Sequence, residues 1–296
     1  MDVKSLYTLV AAADCGSFAE AGASLGISLS AVSHQLRALE TETGLSLFDR
    51  RKRPPLLTEE GRAFVERARA VIAQWEALSD SLSRSPARGS LRVGAVHTTV
   101  AAAMPAALLR LQAAYPDLSV RLATGLSHDL EDQLKRRMID CAVVTEAEPE
   151  DPDLVAERIA SEPLVLIAPK TARGRDIGKI LASQPYVRFS RQARVARLIE
   201  GELRRRNITV ASRMEIDTLD AVISLVQSGL GVSIVPLNAG GRAFPKEIRS
   251  LPLGSPPILR HLVVERRGDS AKSHLVSLLA EELRRVYAGK ASAPQR

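Results

Sequence analysis

The chain has 296 residues, 45% hydrophobic and 25% charged, enough for about two domains with sizeable cores and too apolar for wholesale disorder. No apolar run approaches the ~18 residues of a membrane span, and residues 1–15 lack a basic segment followed by an apolar stretch, so neither membrane association nor secretion is expected and a cytoplasmic location is. The net charge of +7 fits an anionic partner, yet residues 1–88 hold eleven Lys/Arg and eleven Asp/Glu, so the whole excess falls in 89–296.

Residues 3–14 read as an alanine-rich helix with Leu6, Leu9, Val10 and Ala13 on one side. Ser17 opens a second helix, with Glu20 three residues on completing a capping box, and Gly26 ends it in a left-handed cap. Ser28 caps a third helix running to Gly44. Its Val32, Leu36 and Leu39 recur at i, i+4 and i+7 and so point inward. Stepping 100° per residue places Ser30, Ser33, His34, Arg37 and Thr41 on the opposite face.

A helix, a three-residue turn with glycine and a second helix form the helix-turn-helix pattern, whose second helix fits the major groove. Serine hydroxyls and His34 donate or accept there, and Arg37 reaches guanine or phosphate. A three-helix bundle with a merely solvated polar face fits residues 1–44 equally well. The neighbouring segments favour DNA. "GLSLFDRRKRPPLLT" (44–58) reads as a short hairpin with a basic tip, placed as a wing that touches the phosphate backbone. Thr58 then caps a helix through about residue 83. Its Phe64, Ala68, Val71, Trp75, Leu78 and Leu82 follow a heptad seam that asks for a second copy of the chain. Two reading heads on one dimer match a palindromic site.

After a breaker-rich linker, 83–90, strands alternate with amphipathic helices. The candidate strands are 91–96, 119–124, 141–145, 164–168, 186–189, 212–216, 232–236 and 259–265, and the pattern predicts parallel α/β sheets in one or two lobes. No nucleotide-binding loop, esterase elbow or metal-ligand spacing occurs in this half, so no cofactor, metal or catalytic residue is expected. Asp217 and Asp220 read as helix-start charge rather than a catalytic pair. Cys15 and Cys141 have no CxxC partner and read as small buried hydrophobes.

Residues 16–61, "GSFAEAGASLGISLSAVSHQLRALETETGLSLFDRRKRPPLLTEEG", resemble the winged helix-turn-helix of LysR-type transcriptional regulators. The match runs without a gap through Ala21, Leu25, Ser28, Ala31, Val32, Ser33, Gln35, Leu36, Leu39 and Glu40. It continues through Gly44, Leu47, Phe48, Arg50, Leu57, Thr58 and Gly61. "LVQSGLGVSIVP" (225–236) is similar to the family's helix-to-strand signature in its second lobe. The resemblance implies an N-terminal winged helix (1–58), a dimerising linker helix and hinge (59–88), and a two-lobed α/β effector domain like type 2 periplasmic binding proteins (89–296).

That organisation implies a homodimer or homotetramer on an interrupted palindromic operator in double-stranded DNA, modulated by a small effector. The DNA-binding residues expected are Ser28, Ser30, Ser33, His34, Gln35, Arg37, Arg50 and Arg53. Leu29 stands where the family has glutamine or proline, and its helix angle predicts packing rather than base contact.

A cleft between lobes takes its ligand at strand ends and helix starts. Candidate effector contacts are therefore Thr98 and Thr99 after the first strand, Ser127, Thr145, Ser190 and Arg191, and Thr218 before a helix. The backbone N–H groups at such starts, with the excess of positive charge in 89–296, favour an anionic effector. A periplasmic-type solute-binding protein and an α/β enzyme without a recognisable motif are the alternatives that the second half alone permits.

Overall fold

A computed structural model describes residues 2–81, 89–147, 152–210, 212–237 and 244–291. The main division of the chain falls between Pro86 and Ala87. The predicted linker, 83–90, therefore lies outside the described residues except at 89 and 90.

In the N-terminal unit, α1 (Val3–Cys15), α2 (Phe18–Leu25) and α3 (Leu29–Thr43) each begin at a polar cap: Asp2, Ser17 and Ser28. Each also ends at a left-handed glycine: Gly16, Gly26 or Gly44. Capping at both ends of every helix makes the breaks as definite as the helices themselves. Val32, Leu36 and Leu39 are fully buried and pack with Leu6, Leu9, Phe18 and Ala21, as their spacing predicts. Cys15, expected in the core, is only half-buried, since it is the last residue of α1. Two-residue strands β1 (Phe48–Asp49) and β2 (Leu56–Leu57) pair antiparallel and form the wing. Phe48 seats its ring edge-on against Phe18 at 4.9 Å. Helix α4 (Glu59–Ser81) starts tight against the wing; a Cβ on Gly61 would sit 2.1 Å from the Leu47 carbonyl oxygen, so only glycine fits.

The heptad seam on α4 is only partly as expected. Ala68 is buried and Phe64 half-buried in the winged-helix core, alongside Val65 and Ile72, so the first half of the helix packs on its own domain. Val71, Trp75 and Leu78 are exposed at 42%, 50% and 56%. Leu82 lies outside the described residues.

The C-terminal unit has two lobes built on one long strand. The first contains β3 (Gly89–Val96), α5 (His97–Ala102), α6 (Met104–Ala114), β4 (Leu118–Gly125), α7 (Ser127–Lys135) and β5 (Cys141–Thr145). Strand β6 (Leu154–Pro169) then passes into the second lobe, which adds α8 (Ile177–Ser183), β7 (Tyr186–Phe189), α9 (Arg194–Arg205) and β8 (Ser212–Ile216). It continues with α10 (Leu219–Gln227), β9 (Ser233–Pro236) and β10 (Ile248–Pro252); β11 (Leu259–Arg267) returns to the first lobe, and α11 (Ser273–Ala291) covers it.

The strand order is β10-β6-β11-β5-β3-β4, with β9 also on β6. β3 is parallel to β4 and β5, and β7 to β8, as predicted. The expectation of parallel sheets throughout is corrected for β6 and β11. They carry the chain between lobes in opposite directions, so they pair antiparallel to each other, and β9, β10 and β5 pair antiparallel to them. Separate apolar cores, around Val187, Val222 and Ile234 in one lobe and Leu91, Leu111 and Leu279 in the other, make the lobes distinct packing units.

Candidate functional site

The outward face of α3 presents Ser30, His34 and Arg37 to solvent, with Ser33 half-buried beside them. Ser28 Oγ accepts from the Ala31 N–H at 3.2 Å, capping the helix, and lies 2.8 Å from Ser30 Oγ. Two sequence expectations change here. Gln35 turns toward α1, where its Oε1 accepts from Thr8 Oγ1 at 2.5 Å, so it joins two helices instead of joining the exposed row. Leu29 is 53% exposed, not packed, because as the first residue of α3 it projects beyond the core that starts at Val32.

The wing is held by Glu40, near the C-terminal end of α3. Its Oε1 accepts from the Leu47 and Phe48 N–H groups at 2.9 and 3.2 Å, and its Oε2 from Arg50 Nη2 at 2.7 Å. Arg50, expected on phosphate, is thus committed to an internal ion pair with half-buried Glu40. Arg51, Lys52 and Arg53 at the tip remain exposed. The hydrogen bond from Arg51, with its charge, holds the Asp49 carboxyl below the usual carboxylate range. Thr58 Oγ1 donates to the Ser46 carbonyl at 2.7 Å and accepts from the Gly61 N–H at 2.9 Å, so the wing and the cap of α4 share one hydroxyl.

In the C-terminal unit a cavity of about 320 Å³ lies between the lobes. Of the expected contacts, Thr98, Ser127 and Thr145 line it from the first lobe and Ser190 from the second. Ser127, Thr145 and Ser190 are each more than nine-tenths buried, and their hydroxyls have no hydrogen-bond partner among the described residues.

Three other expected contacts lie outside the cavity lining. Thr99 is fully buried behind the cavity beside the Tyr287 hydroxyl, because neighbouring residues of a helix point about 100° apart. Burial pushes that tyrosine up from its ordinary value. Arg191 is exposed and pairs with Glu215, its Nε donating to Oε2 at 3.0 Å. Thr218 is exposed at the start of α10 and does not reach the cavity.

Sequence reasoning missed both arginines that do line the cavity. Arg260 on β11 stands directly across from Glu162 on β6, and the two form an ion pair with both side chains at most 2% exposed. Nη1 of Arg260 also donates to Thr98 Oγ1 at 3.0 Å. Removing either charge would leave the other buried and unmatched, at a cost of about 3–5 kcal/mol. Arg194, three residues after Arg191, starts α9. Its Nη1 and Nη2 donate to the two Glu131 oxygens of α7 at 2.6 and 2.7 Å, and Nη1 also donates to the Thr145 carbonyl at 2.6 Å. Glu215 and Asp217, at and just beyond the end of β8, complete the charged lining.

Both guanidinium groups are already matched by carboxylates, so the positive excess of 89–296 is not focused on this cavity. Helix α9 begins without a side-chain cap. Among the described residues no cluster of His, Cys, Asp or Glu could hold a metal ion, and no helix is long and apolar enough to cross a membrane. Cys141 is fully buried in β5, and burial pushes its thiol well up from its ordinary value.

Comparison with known proteins agrees with this division. Residues 3–62 match the model of the bacterial regulatory helix-turn-helix protein, lysR family, and residues 84–288 match that of the LysR substrate binding domain. The chain is 31% identical over 245 residues to the RuBisCO operon transcriptional regulator of Allochromatium vinosum, covering 80% of each. It is 25% identical over 303 residues to the hydrogen peroxide-inducible genes activator of Haemophilus influenzae, covering 98% of this chain and 99% of that one. A full-length OxyR variant from Pseudomonas aeruginosa shares the fold with a TM-score of 0.77 at 21% identity, over 96% of this chain and 95% of that one.

Proposed function

The chain belongs to the LysR family of DNA-binding transcriptional regulators, and we propose that its effector is a small molecule with an acid group, bound between the lobes against Thr98, Ser127, Thr145 and Ser190. The observation that carries this is the convergence of three buried, unpartnered hydroxyls from both lobes on one cavity. Lining the cavity with no protein partner, these hydroxyls are groups that a ligand can complete. Thr99, Arg191 and Thr218 drop out of the contact set, the first enclosed behind the cavity and the other two exposed outside it.

On DNA, Ser30, Ser33, His34 and Arg37 read base edges in the major groove. Leu29 adds an apolar contact suited to a thymine methyl, and Arg53 with its neighbours at the wing tip meets phosphate. Ser28, Gln35 and Arg50 support this surface by capping or bracing it. The exposed Val71, Trp75 and Leu78 of α4 pair two copies, which set two reading heads on an interrupted palindrome. Exposed Leu109 on α6 and Leu122 on β4 provide a second apolar surface for joining dimers into a tetramer. The protein acts in the cytoplasm, where it meets DNA. Effector binding biases the lobes and through them the DNA bend, with a coupling of about 1–3 kcal/mol, and only by binding one arrangement better than the other.

Selection of bound sequences from a random DNA pool by the full-length protein tests the reading surface. A two-fold symmetric, interrupted motif is expected, and its base preferences should relax in Arg37→Ala and Ser33→Ala. Recovery of the same motif by both variants would place the reading surface elsewhere.

A further inference from the structure

We infer that the effector is a small zwitterion, a carboxylic acid that also carries a protonated amine, of which an aliphatic α-amino acid is the simplest form. The inference rests on the proposed cleft site and deepens it. A bare carboxylate entering this cavity would need a free cation to balance it. Neither lining arginine supplies one, since Arg260 is spent on Glu162 and Arg194 on Glu131, and the remaining basic side chain of the lining, His97, is exposed at the start of α5.

What the cavity does offer an acid is neutral donors. These are the buried hydroxyls of Ser127, Thr145 and Ser190 and the uncapped start of the 12-residue helix α9. A helix start attracts negative charge through its dipole and its unpaired N–H groups.

The same cavity also carries carboxylates. Asp217 lines it with no ion-pair partner among the described residues, and Glu215 beside it is bound only from the side of Arg191. A ligand with acid alone would meet repulsion from Asp217, weakened by solvent because that residue is exposed, and one with amine alone would leave the hydroxyl end unfilled. A ligand carrying both charges supplies its own balance, its ammonium beside Asp217 and its carboxylate among the hydroxyls. Val96, Leu126, Phe189 and Val195 form the apolar remainder of the lining. The volume of about 320 Å³ stands at the lower end of the roughly 300–1,000 Å³ found for ligand sites, which limits the occupant to a compact molecule.

Calorimetry on the full-length protein with the standard L-amino acids, their 2-oxo acids and their decarboxylated amines tests this. One or more amino acids should bind at least about tenfold tighter than the matching oxo acid and amine, since a charge-assisted hydrogen bond is lost in each analogue. Asp217→Asn should weaken the amino acid by about tenfold or more and leave the oxo acid unchanged or tighter. Ser190→Val should weaken both.

An oxo acid that binds as tightly as its amino acid overturns the zwitterion, and so does an Asp217→Asn variant that binds the amino acid normally. An oxo acid that binds as tightly as its amino acid and is lost in Ser190→Val keeps the cleft while overturning the zwitterion. A ligand indifferent to both Ser190→Val and Thr98→Val overturns the cleft itself. No binding by any amino acid also overturns the inference.

Discussion

Arg194 and Glu131 grip one another from opposite lobes through two near-parallel hydrogen bonds, with both side chains no more than about one-fifth exposed. The third bond, to the Thr145 carbonyl, ties the same guanidinium to the end of β5. Glu131→Gln keeps the shape and removes the charge, leaving Arg194 half-enclosed without its partner. We expect unfolding stability to fall by about 1–3 kcal/mol and amide exchange to quicken in the first turn of α9. Hydrogen-exchange mass spectrometry checks this; unchanged protection there would show that apolar packing alone holds the lobes together.

The wing should depend on a residue that does not itself meet DNA. Glu40→Ala orphans the Leu47 and Phe48 N–H groups and releases Arg50, so DNA affinity should drop while Arg50→Ala alone costs less. Arg53→Ala should weaken all sequences equally and flatten the salt dependence by about 0.9 in slope. Fluorescence anisotropy across a salt series separates these effects. A Glu40→Ala protein with wild-type affinity would mean the wing is positioned by its core residues.

Pairing through α4 is expected to be confined to its second half. Charged residues in place of Val71 and Trp75 should disperse the dimer, whereas Phe64→Ala and Ala68→Glu should destabilise the winged helix without addressing the interface. Sedimentation mass and thermal unfolding, measured together, distinguish the two outcomes. An unchanged mass in the Val71 and Trp75 variant would remove α4 as the pairing element.

Despite its likeness to a hydrogen peroxide-inducible activator, this chain should not respond to peroxide through Cys141. The thiol is fully enclosed and its pKa is raised by burial, so the reactive thiolate is scarce. DNA affinity should be the same before and after millimolar-range peroxide treatment that leaves methionines intact. Intact-mass detection of oxidised Cys141 alongside altered binding would refute this.

Asp140 supplies an acid-sensitive brace at the start of β5. Burial works to raise its pKa, but Arg92, whose Nη2 donates at 2.7 Å, and Lys272 at 3.4 Å outweigh this and hold it below its ordinary value. A depressed folded pKa means the ionised form favours the fold. That stabilisation is present above the unfolded value near ~4 and is lost as pH falls through the folded value. Asp140→Asn should therefore cost about 2 kcal/mol at pH 7, and its gap from wild type should begin to narrow below about pH 4 and close only as pH falls through the folded value. Denaturant titrations from pH 7 down to the acid transition measure both; a gap that does not narrow as pH falls would assign the loss to packing.

The N-terminal unit was legible in the sequence because its signals are local. Caps, left-handed glycines and an i, i+4, i+7 stripe lie within a few residues of each other, and all of them appear in the structure. The second unit was legible where strands are continuous apolar runs, as at 141–145 and 164–168. The first ten residues of β6 are broken by charges (Glu157, Arg158, Glu162), and β10 is short and half-exposed, so neither stood out. Arg260 and Glu162 are 98 residues apart, and Arg194 and Glu131 are 63 apart. No local pattern marks such pairs; only the chain's two passages between lobes make them neighbours. Leu29 misled for a different reason, since a helical wheel assumes a core beneath every turn, and at the first residue of a helix there is none.

Strand β6 serves both lobes over 16 residues, with Glu162 facing Arg260 on one side of the crossing and Leu164 to Ile167 pairing with β9 just beyond it. Because side chains alternate along a strand, one residue inserted or deleted near Pro163 would turn every later position to the wrong face. Leu164 and Leu166 would exchange places with Val165 and Ile167, and the register with β9 and β10 would be broken along with them. The pairing of β6 with β11 already absorbs one register shift, at Leu262 and Val263, but beyond Pro163 the strand stays in register with β9 on one side and β10 on the other, so an extra residue there would have to be accommodated against two partners at once.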